Sequence, residues 1–366
     1  MVSSRARSTH RVSTARSRRS ARGVPSADHR RGPATRLLAR LLGLHVVLRL
    51  PEDRPMRPLV LIVDGGATGT RARWLEGDQR AEGTGVPHVS AAGEQAVAEA
   101  VASAVEGLPD VPVPDGTTLV AGLTGLFETP EAAGGLGDAL RARIGVETVV
   151  LTGDVVTAHA GALGGASGVV VAAGTGSVAL AVGDDGTWAR ADGWGALLGD
   201  AGSGHWIGRR ALEAALRWYD GRAGGSQALA ASAQERYGPL GGVASRVYAA
   251  SAPVREIAAF ARDAAEVARA GDEVARSIWS SAAEELAETA TAAARRAGST
   301  EGIGRVSWTG GLLDVADLLG APFREAVSAR LPGARIVAPL GDPLDGAGVI
   351  ARGSAVHEPL VLTGDG

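Results

Sequence analysis

The chain has 366 residues, of which 45% are hydrophobic and 21% charged, and its formal net charge is −3. This length exceeds one ordinary hydrophobic core and predicts about two domains. The absence of cysteine excludes disulfides, thiolate metal sites and cysteine-ligated iron–sulfur clusters. All 37 basic residues are arginine, so any phosphate-binding site must use backbone N–H groups, arginine or a metal ion.

The first 57 residues form a basic segment that differs from the rest of the chain. They hold 14 arginines and three acids, which gives +11 and leaves −14 for the remainder of a chain whose total is −3. Such a serine-rich, acid-poor segment is typical of a targeting leader or a nucleic-acid-binding arm. The alternative is that translation starts at Met56, so that residues 1–57 are a disordered leader upstream of the true start.

An ordered pattern of strands and helices begins at residue 58. The apolar run 59–63 predicts a buried strand that enters a glycine-rich turn, and 71–76 predicts the paired return strand. The other elements predicted in this half are strands at 118–121 and 148–151 and helices at 95–108, 132–144 and 155–163.

The segment 169–182 repeats the opening pattern of an apolar strand, a Gly/Thr turn and a return strand. Helices dominate residues 205–296, followed by a strand at 306–309 and a last helix at 345–352. A repeat in pattern, though not in identity, indicates two related halves. Two α/β halves with a cleft between them is the architecture that this order of elements favours.

Two Gly/Thr turns, one in each half, carry residue types that bind phosphate. In segments 64–70 (DGGATGT) and 173–177 (AGTGS), glycines let backbone N–H groups approach a phosphate, and hydroxyls add hydrogen bonds. Asp64, at the strand end, can hold Mg²⁺ through water. Each turn alone also fits an ordinary hairpin, and neither is a Walker A loop. Together they indicate a nucleotide held between the halves.

Asp154 and the segment 192–208 are the other candidates for chemistry. Asp154 stands between a strand and a helix, where it fits either a helix N-cap or a general base that accepts a hydroxyl proton during phosphoryl transfer. The glycines and two tryptophans of 192–208 suit a loop that packs an aromatic ring against a ligand, with Asp200 accepting hydrogen bonds from sugar hydroxyls. The alternative for this segment is a structural loop capped by Asp200.

In this order, the segments resemble the N-acetylglucosamine kinase branch of the BadF/BadG/BcrA/BcrD ATPase family, within the actin-like superfamily, over about residues 58–356. The resemblance implies an α/β fold of two actin-like (ribonuclease H-like) domains with an ATP/sugar cleft between them. The implied divisions are an N-terminal domain at 58–164, a C-terminal domain at 165–344, a helix at 345–356 that returns to the first domain, and a tail at 357–366.

Residue types and resemblance together give a set of expected site residues. Asp154 is the expected catalytic base and also contacts the sugar, and Asp64 is the expected metal-binding residue, through water. The expected ATP-binding residues are Asp64, Gly65, Gly66, Thr68, Thr70, Gly174, Thr175, Gly176, Gly310 and Gly311. The expected substrate-binding residues are Asp154, Ser177, Gly193, Trp194, Gly195 and Asp200.

The expected reaction is transfer of the γ-phosphoryl group from ATP, with Mg²⁺, to the 6-hydroxyl of N-acetylglucosamine or a close relative. The chain departs from the family pattern at Ala67 and Gly69, in segment 83–88, which lacks the usual asparagine, and at Ala201 in place of a common acid. The last two departures lie on the sugar side, so glucosamine, N-acetylmuramic acid or a plain hexose stays open as the substrate.

Two alternatives belong to other functional classes. The ATP-driven activator branch of the family needs cysteine ligands for its cluster, and the chain has none. An ATP-binding, sugar-responsive regulator without kinase activity remains as the alternative from another class.

The expected partner is a small sugar, and neither a membrane nor a nucleic-acid partner is expected. A homodimer is a permitted assembly. The expected location is cytoplasmic.

Overall fold

The computed structural model describes residues 59–109, 112–126, 130–298 and 304–363. The predicted leader at 1–57 therefore lies outside the described residues, as do the last three residues of the predicted tail. Two mixed β-sheets with helices packed against them make up the described part of the chain. No helix in that part is long and apolar enough to cross a membrane.

The first sheet contains six strands, drawn from the first half of the chain and from its C-terminal end. They are β1 (Val60–Gly66), β2 (Gly69–Trp74), β3 (Arg80–Gly83), β4 (Thr118–Leu123), β5 (Thr148–Gly153) and β11 (Leu362–Thr363). Their order is β11-β5-β4-β1-β2-β3, with β1, β4 and β5 parallel and the other pairs antiparallel. The central strand β1 reads as a continuous apolar run because helices cover both of its faces.

Four helices belong to the first half: α1 (Val89–Ala92), α2 (Glu94–Val105), α3 (Ala133–Ile144) and α4 (Asp154–Leu163). Successive side chains of a strand point to opposite faces of the sheet. Leu61 and Val63 accordingly share a core with α2 and α3, whereas Ile62 points into a second core with α4. This places the N-terminal end of α4 beside the end of β1.

The second sheet contains five strands: β6 (Gly168–Ala173), β7 (Ser177–Val182), β8 (Trp188–Asp192), β9 (Arg305–Thr309) and β10 (Arg335–Ile336). Their order is β10-β9-β6-β7-β8, with β6 parallel to β9 and antiparallel to β7. The hairpin β6–β7 in this sheet matches β1–β2 in the first, which is the repeat that the sequence pattern indicated.

Seven helices complete the described chain: α5 (Gly204–Tyr219), α6 (Gln227–Tyr237), α7 (Val243–Ala249), α8 (Pro253–Arg269), α9 (Glu273–Arg296), α10 (Ala321–Arg330) and α11 (Pro343–Ala351). The largest core cluster joins α5, α8, α9 and α10 to the second sheet, and Phe260, Trp279 and Phe323 are its fully buried aromatic side chains. On the other face of this sheet, Leu180 and Val182 pack with the core around α4 and α11.

Helices α4 and α11 cross with their backbones in direct contact. A Cβ atom added at Gly346 would lie 1.8 Å from the carbonyl oxygen of Thr157, and one at Gly161 would lie 2.1 Å from that of Asp342. Only glycine permits this approach. Because Asp154 begins α4 and Asp342 caps α11, the crossing fixes the distance between two carboxylates near the ends of the strands.

A buried chain of hydrogen bonds ties α4 to the segment after α11. His357 Nε2 lies 2.8 Å from His159 Nδ1, His159 Nε2 lies 3.0 Å from the carbonyl oxygen of Gly168, and Ser354 Oγ lies 2.7 Å from His357 Nδ1. Since the Gly168 oxygen can only accept, every bond in the chain is satisfied when Ser354 donates to His357 and His357 donates to His159. Burial lowers the pKa of His159 to about 4 and that of His357 to about 3.

Candidate active site

A cleft of about 1060 Å³ opens where the C-terminal ends of β1 and β6 approach each other. Its walls come from the turns 66–68 and 172–177, the start of α4 at 153–155, the loop 193–196 with Asp200, and the segments 308–311 and 339–343. The segments that the sequence analysis selected for chemistry therefore meet in one place.

The turn between β1 and β2 forms one side of the cleft and carries a buried ion pair. The Asp64 side chain is almost fully buried, and its Oδ2 accepts a hydrogen bond from Arg71 Nη2 at 2.5 Å. Burial raises the pKa of Asp64 above its usual value, and the neighbouring Arg71 opposes this shift. The carboxylate is thus held by one cation inside a poorly solvated site, which is where charge has its largest effect.

Two predicted residues of this turn support it from behind. A Cβ atom at Gly65 would lie 2.6 Å from Val86 and 2.8 Å from Leu123, so this glycine is packed under the turn. Thr70 is buried and donates from Oγ1 to the carbonyl oxygen of Thr84 at 2.6 Å. Neither residue lines the cleft, whereas every other predicted site residue does.

The turn between β6 and β7 forms the opposite side, and backbone groups hold it. The N–H groups of Gly204 and His205, at the start of α5, donate to the carbonyl oxygens of Gly174 and Thr175 at 2.8 and 3.0 Å. Gly310, with φ +90°, lies against the end of β6, where an added Cβ would be 2.3 Å from the Ala173 oxygen. The two segments predicted to contact ATP in this half are therefore neighbours.

The loop 193–200 is fixed by Asp192, a residue to which the sequence analysis gave no role. The Oδ1 and Oδ2 atoms of Asp192 accept from the N–H groups of Asp200 and Ala201, each at 2.8 Å. Asp192 and Asp200 both have φ +57°, a left-handed conformation that non-glycine residues seldom adopt. Strain of this kind is held in place by surrounding contacts and concentrates at functional sites.

Asp200 faces the turn between β6 and β7. Its Oδ1 accepts from the Gly195 N–H at 3.2 Å, and a Cβ added at Gly176 would lie 2.6 Å from its Oδ2. Burial raises the pKa of Asp200, and the charge of Asp192 adds to this shift. Ser177 donates from Oγ to the Ala201 oxygen at 2.8 Å. These contacts thus hold the loop 193–200 against the turn between β6 and β7.

Trp194 stands at the mouth of the cleft with its side chain exposed. The Arg190 guanidinium carbon lies 5.1 Å from the Trp194 ring centroid, a cation–π distance. Arg190 also donates from Nε to the backbone carbonyl oxygen of Asp192 at 3.0 Å and from Nη2 to the backbone carbonyl oxygen of Gly193 at 3.1 Å. An aromatic face is thereby presented to the cleft on a braced loop.

Asp154 is half-buried in the cleft wall at the first position of α4. The interpretation of Asp154 as a helix N-cap is wrong, because Gly153 is the N-cap residue and no side chain caps this helix. The alternative of a structural loop capped by Asp200 stays open, because Asp200 Oδ1 accepts from the Gly195 N–H of this loop, while Ser203 caps α5 by accepting from the Trp206 N–H at 3.1 Å. A helix-capping role therefore does not account for Asp154 in the cleft.

Further polar residues of the cleft were missed by the sequence analysis, among them Arg71, Asp314 and Asp342. Arg71 and Asp342 line it near Asp64, and Asp314 lies near the segment 308–311. Asp342 has a local signal, since an Asp-Pro pair three residues before an acid predicts a capped helix start, and Asp342 does form a capping box with Asp345. Arg71 has a local signal too, since it lies opposite Asp64 in the β1–β2 hairpin, but its approach to Asp342 depends on a partner far away in the sequence.

Comparison with known proteins identifies several relatives. A curated N-acetylmuramic acid/N-acetylglucosamine kinase from Clostridium acetobutylicum is 28% identical over 207 residues, which cover 56% of this chain and 67% of that protein. A curated N-acetyl-D-glucosamine kinase from Dictyostelium discoideum is 29% identical over 205 residues, which cover 55% of this chain and 64% of the relative. The aligned segment thus spans about two thirds of the length of the curated relatives.

Solved structures confirm the predicted fold class of two actin-like α/β domains around a cleft. The structure of a protein described as an N-acetylglucosamine kinase from Chromobacterium violaceum matches 80% of this chain and 98% of its own, with a TM-score of 0.61 and 28% identity. A ROK family glucokinase from Streptomyces griseus, solved with glucose and AMPPNP, matches 80% of this chain and 98% of its own at a TM-score of 0.50 and 19% identity, and supports the fold alone.

The sequence profile of one family matches residues 62–351, which include every described strand except the start of β1 and the short β11. The family recognised from the sequence motifs is therefore confirmed. The chain belongs to the BadF/BadG/BcrA/BcrD ATPase family.

Proposed function

We propose that the protein is an ATP-dependent sugar kinase that transfers the γ-phosphoryl group of MgATP to the 6-hydroxyl of N-acetylglucosamine or a close relative. One observation carries this proposal. Two Gly/Thr turns, one from each sheet, face a single cleft that also contains Asp154 and the braced loop with Asp200. Names of the curated relatives and of the Chromobacterium structure support the same class of reaction and substrate.

The phosphate groups of ATP would lie between the turns 66–68 and 174–176. Both turns present backbone and hydroxyl groups to the cleft, which suits a chain without lysine. Gly310 and Gly311, next to the second turn, would contact the adenosine side. Gly65 and Thr70 would contribute by holding the first turn in shape.

The sugar would lie between the start of α4 and the loop 193–200. Asp200 and Asp154 are hydrogen-bond acceptors for sugar hydroxyls, and Trp194 offers an apolar face to a sugar ring or an N-acetyl methyl group. Because Asp200 touches the turn at Gly176, a correctly bound sugar would be positioned relative to the phosphates. Much of the rate acceleration of a kinase comes from such positioning.

Asp154 would act as the general base. It would accept the proton of the 6-hydroxyl as that oxygen attacks the γ-phosphorus in line with the leaving oxygen of ADP. Its position in the first turn of α4 places its side chain near the positive end of the helix dipole.

Magnesium fits the donor set near Asp64, which is a carboxylate at the end of β1 beside the first turn. Among the described residues no group of three or more His, Cys, Asp or Glu side chains is arranged to hold a metal ion directly. A magnesium ion at this place would take its ligands from ATP phosphates and water, with Asp64 binding one such water, and would neutralise phosphate charge.

The test is ADP release by the full-length protein with MgATP and one sugar at a time. We expect a strong preference for one among N-acetylglucosamine, N-acetylmuramic acid, glucosamine, N-acetylmannosamine and glucose. Binding of ATP and sugar without sugar-dependent turnover would overturn the kinase proposal and favour a regulator. The homodimer, the cytoplasmic location and the domain boundaries stay predictions.

A further inference from the structure

Because the chain has no lysine, few positively charged side chains are available to stabilise a phosphoryl group during its transfer. Among the described residues that line the cleft, only Arg71, His88 and Arg190 carry basic side chains. Arg190 binds the carbonyl oxygens of the loop at residues 192 and 193 and stacks on Trp194, which places it on the sugar side. Arg71 is therefore the arginine that both lines the cleft and pairs with Asp64.

Arg71 is placed by charge on two sides. Its Nη2 donates to Asp64 Oδ2 at 2.5 Å, and its Nη1 lies 3.9 Å from Asp342 Oδ2. The second distance is an ion-pair distance but is too long for a hydrogen bond. A guanidinium group has five N–H donors in a planar fork, so Arg71 can keep Asp64 and still donate to a further anion.

The accessibility of Arg71 also suits this use. Its side chain is 36% exposed and lines the cleft, whereas that of Asp64 behind it is 8% exposed. Neighbouring Arg73 on the same strand face pairs with Asp345 at 2.9 Å and does not line the cleft. The two arginines thus have similar ion pairs but different access to a ligand.

We propose that Arg71 is a further catalytic residue, which donates hydrogen bonds to the γ-phosphoryl group of ATP during transfer. This rests on the proposed kinase activity. As the bond between the sugar O6 and the γ-phosphorus forms, the bond to the bridging oxygen breaks and its electrons pass to ADP. The O6 proton goes to Asp154, and Arg71 keeps its own protons while it stabilises the equatorial oxygens. Asp64 and Asp342 hold the guanidinium in place.

The test compares Arg71→Gln and Arg71→Lys with Arg73→Gln in the full-length protein. Removal of a preorganised donor to a developing charge typically lowers kcat ~10²–10³-fold. A hydrogen bond to a charged group contributes about 1.5–3 kcal/mol, which is roughly 10–100-fold in affinity. We expect Arg71→Gln to weaken the binding of magnesium-AMPPNP by roughly 10–100-fold, while the affinity for ADP changes little. Arg73→Gln should leave the ratio of the AMPPNP affinity to the ADP affinity unchanged.

The readouts separate catalysis from structure. The ratio of AMPPNP to ADP affinity needs no turnover, so it tests Arg71 even if no sugar tried is phosphorylated. Partial recovery of kcat in Arg71→Ala by added guanidinium ion would support the proposal. Equal loss of both affinities in Arg71→Gln, or an unchanged ratio with normal kcat, would overturn it. A change of the ratio in Arg255→Gln alone would also overturn it, since Arg255 donates to the Thr68 oxygen from across the cleft at 3.2 Å.

Discussion

The two turns that face the cleft have the same sequence character but are held by different interactions. The turn after β1 is stabilised by charged side chains, since Arg71 binds Asp64, and Arg73 and Arg80 bind the acids at the start of α11. The turn after β6 is held by backbone N–H groups of α5 and by close glycine contacts. A repeated hairpin therefore does not imply repeated energetics. Loss of a charged side chain or added salt should therefore destabilise the first turn, whereas added side-chain volume should destabilise the second.

The largest loss of activity is expected from a change at Asp154, which lies in the cleft but outside both turns. Asp154→Asn should lower kcat ~10²–10⁴-fold, because the amide cannot accept the hydroxyl proton. ATP affinity should change little, and steady-state kinetics with equilibrium ATP binding would check both. The matched control is Asp185→Asn at an exposed site outside the cleft. Full activity in Asp154→Asn would refute the general-base role.

Acidification should weaken the buried contact between α4, the start of β6 and the segment after α11, where His159 and His357 lie. Both folded-state pKa values, about 4 and about 3, lie below the unfolded value near 6.5. Below pH ~6.5 the unfolded chain therefore binds protons that the folded chain does not. The contribution of the two histidines to the free energy of unfolding should be constant above this pH and fall by up to ~1.4 kcal/mol per pH unit for each histidine between about pH 6 and pH 4.

Chemical denaturation at a series of pH values would measure this slope. His357→Gln should lower the slope by up to ~1.4 kcal/mol per pH unit, which corresponds to one proton. His88→Gln, at an exposed position, is the control variant. A slope that stays the same in His357→Gln would show that other groups govern the acid response.

Added volume at Gly176 should break the second turn selectively. A Cβ there would meet Asp200 Oδ2 at 2.6 Å, so Gly176→Ala should displace the carboxylate and raise the sugar KM ~10-fold, the cost of one disturbed hydrogen bond to a charged group. Gly174→Ala, whose Cβ meets nothing within 4 Å, is the control and should keep the sugar KM. Equal sugar KM values for the two variants would contradict a contact between turn and loop.

The smallest effect is expected from salt on the first turn. The Arg80–Asp342 pair is partly exposed, with side-chain exposures of 44% and 29%, and exposed pairs contribute about 0–1 kcal/mol. Arg80→Gln should lower Tm by a few degrees or less at low ionic strength, and the difference should vanish near 1 M NaCl. Thermal unfolding of both proteins at the two salt concentrations would measure it. A difference that persists at high salt would mean that packing, and not charge, holds this corner.

Strands and turns could be predicted from the sequence where a short local pattern determines the structure. The run 59–63 could only be a buried strand, and glycine with threonine at a strand end marked both turns. Strand β3 was missed because its sequence, RAEG, is polar and lies at a sheet edge. Strand β8 was missed because Arg190 interrupts its apolar pattern.

Residues whose roles depend on distant partners could not be predicted. Arg71 approaches Asp342, which is remote in sequence but near in space once α11 packs on α4. Asp192 was visible in a suspected loop, but its two backbone hydrogen bonds appear only in the folded loop. Asp154 was found by position and resemblance, and the cap interpretation failed because Gly153 already provides the helix start.

The backbone contact at Gly161 and Gly346 has a consequence for how this chain can change. Two helices that touch through main-chain atoms have no side chain between them that could change rotamer to absorb a change in their spacing. Neither position can accept even a methyl group without forcing the two backbones apart, and Asp342, whose carbonyl oxygen lies at the Gly161 contact, would then be displaced from α4. Two glycines that do not line the cleft therefore constrain where two of its carboxylates stand.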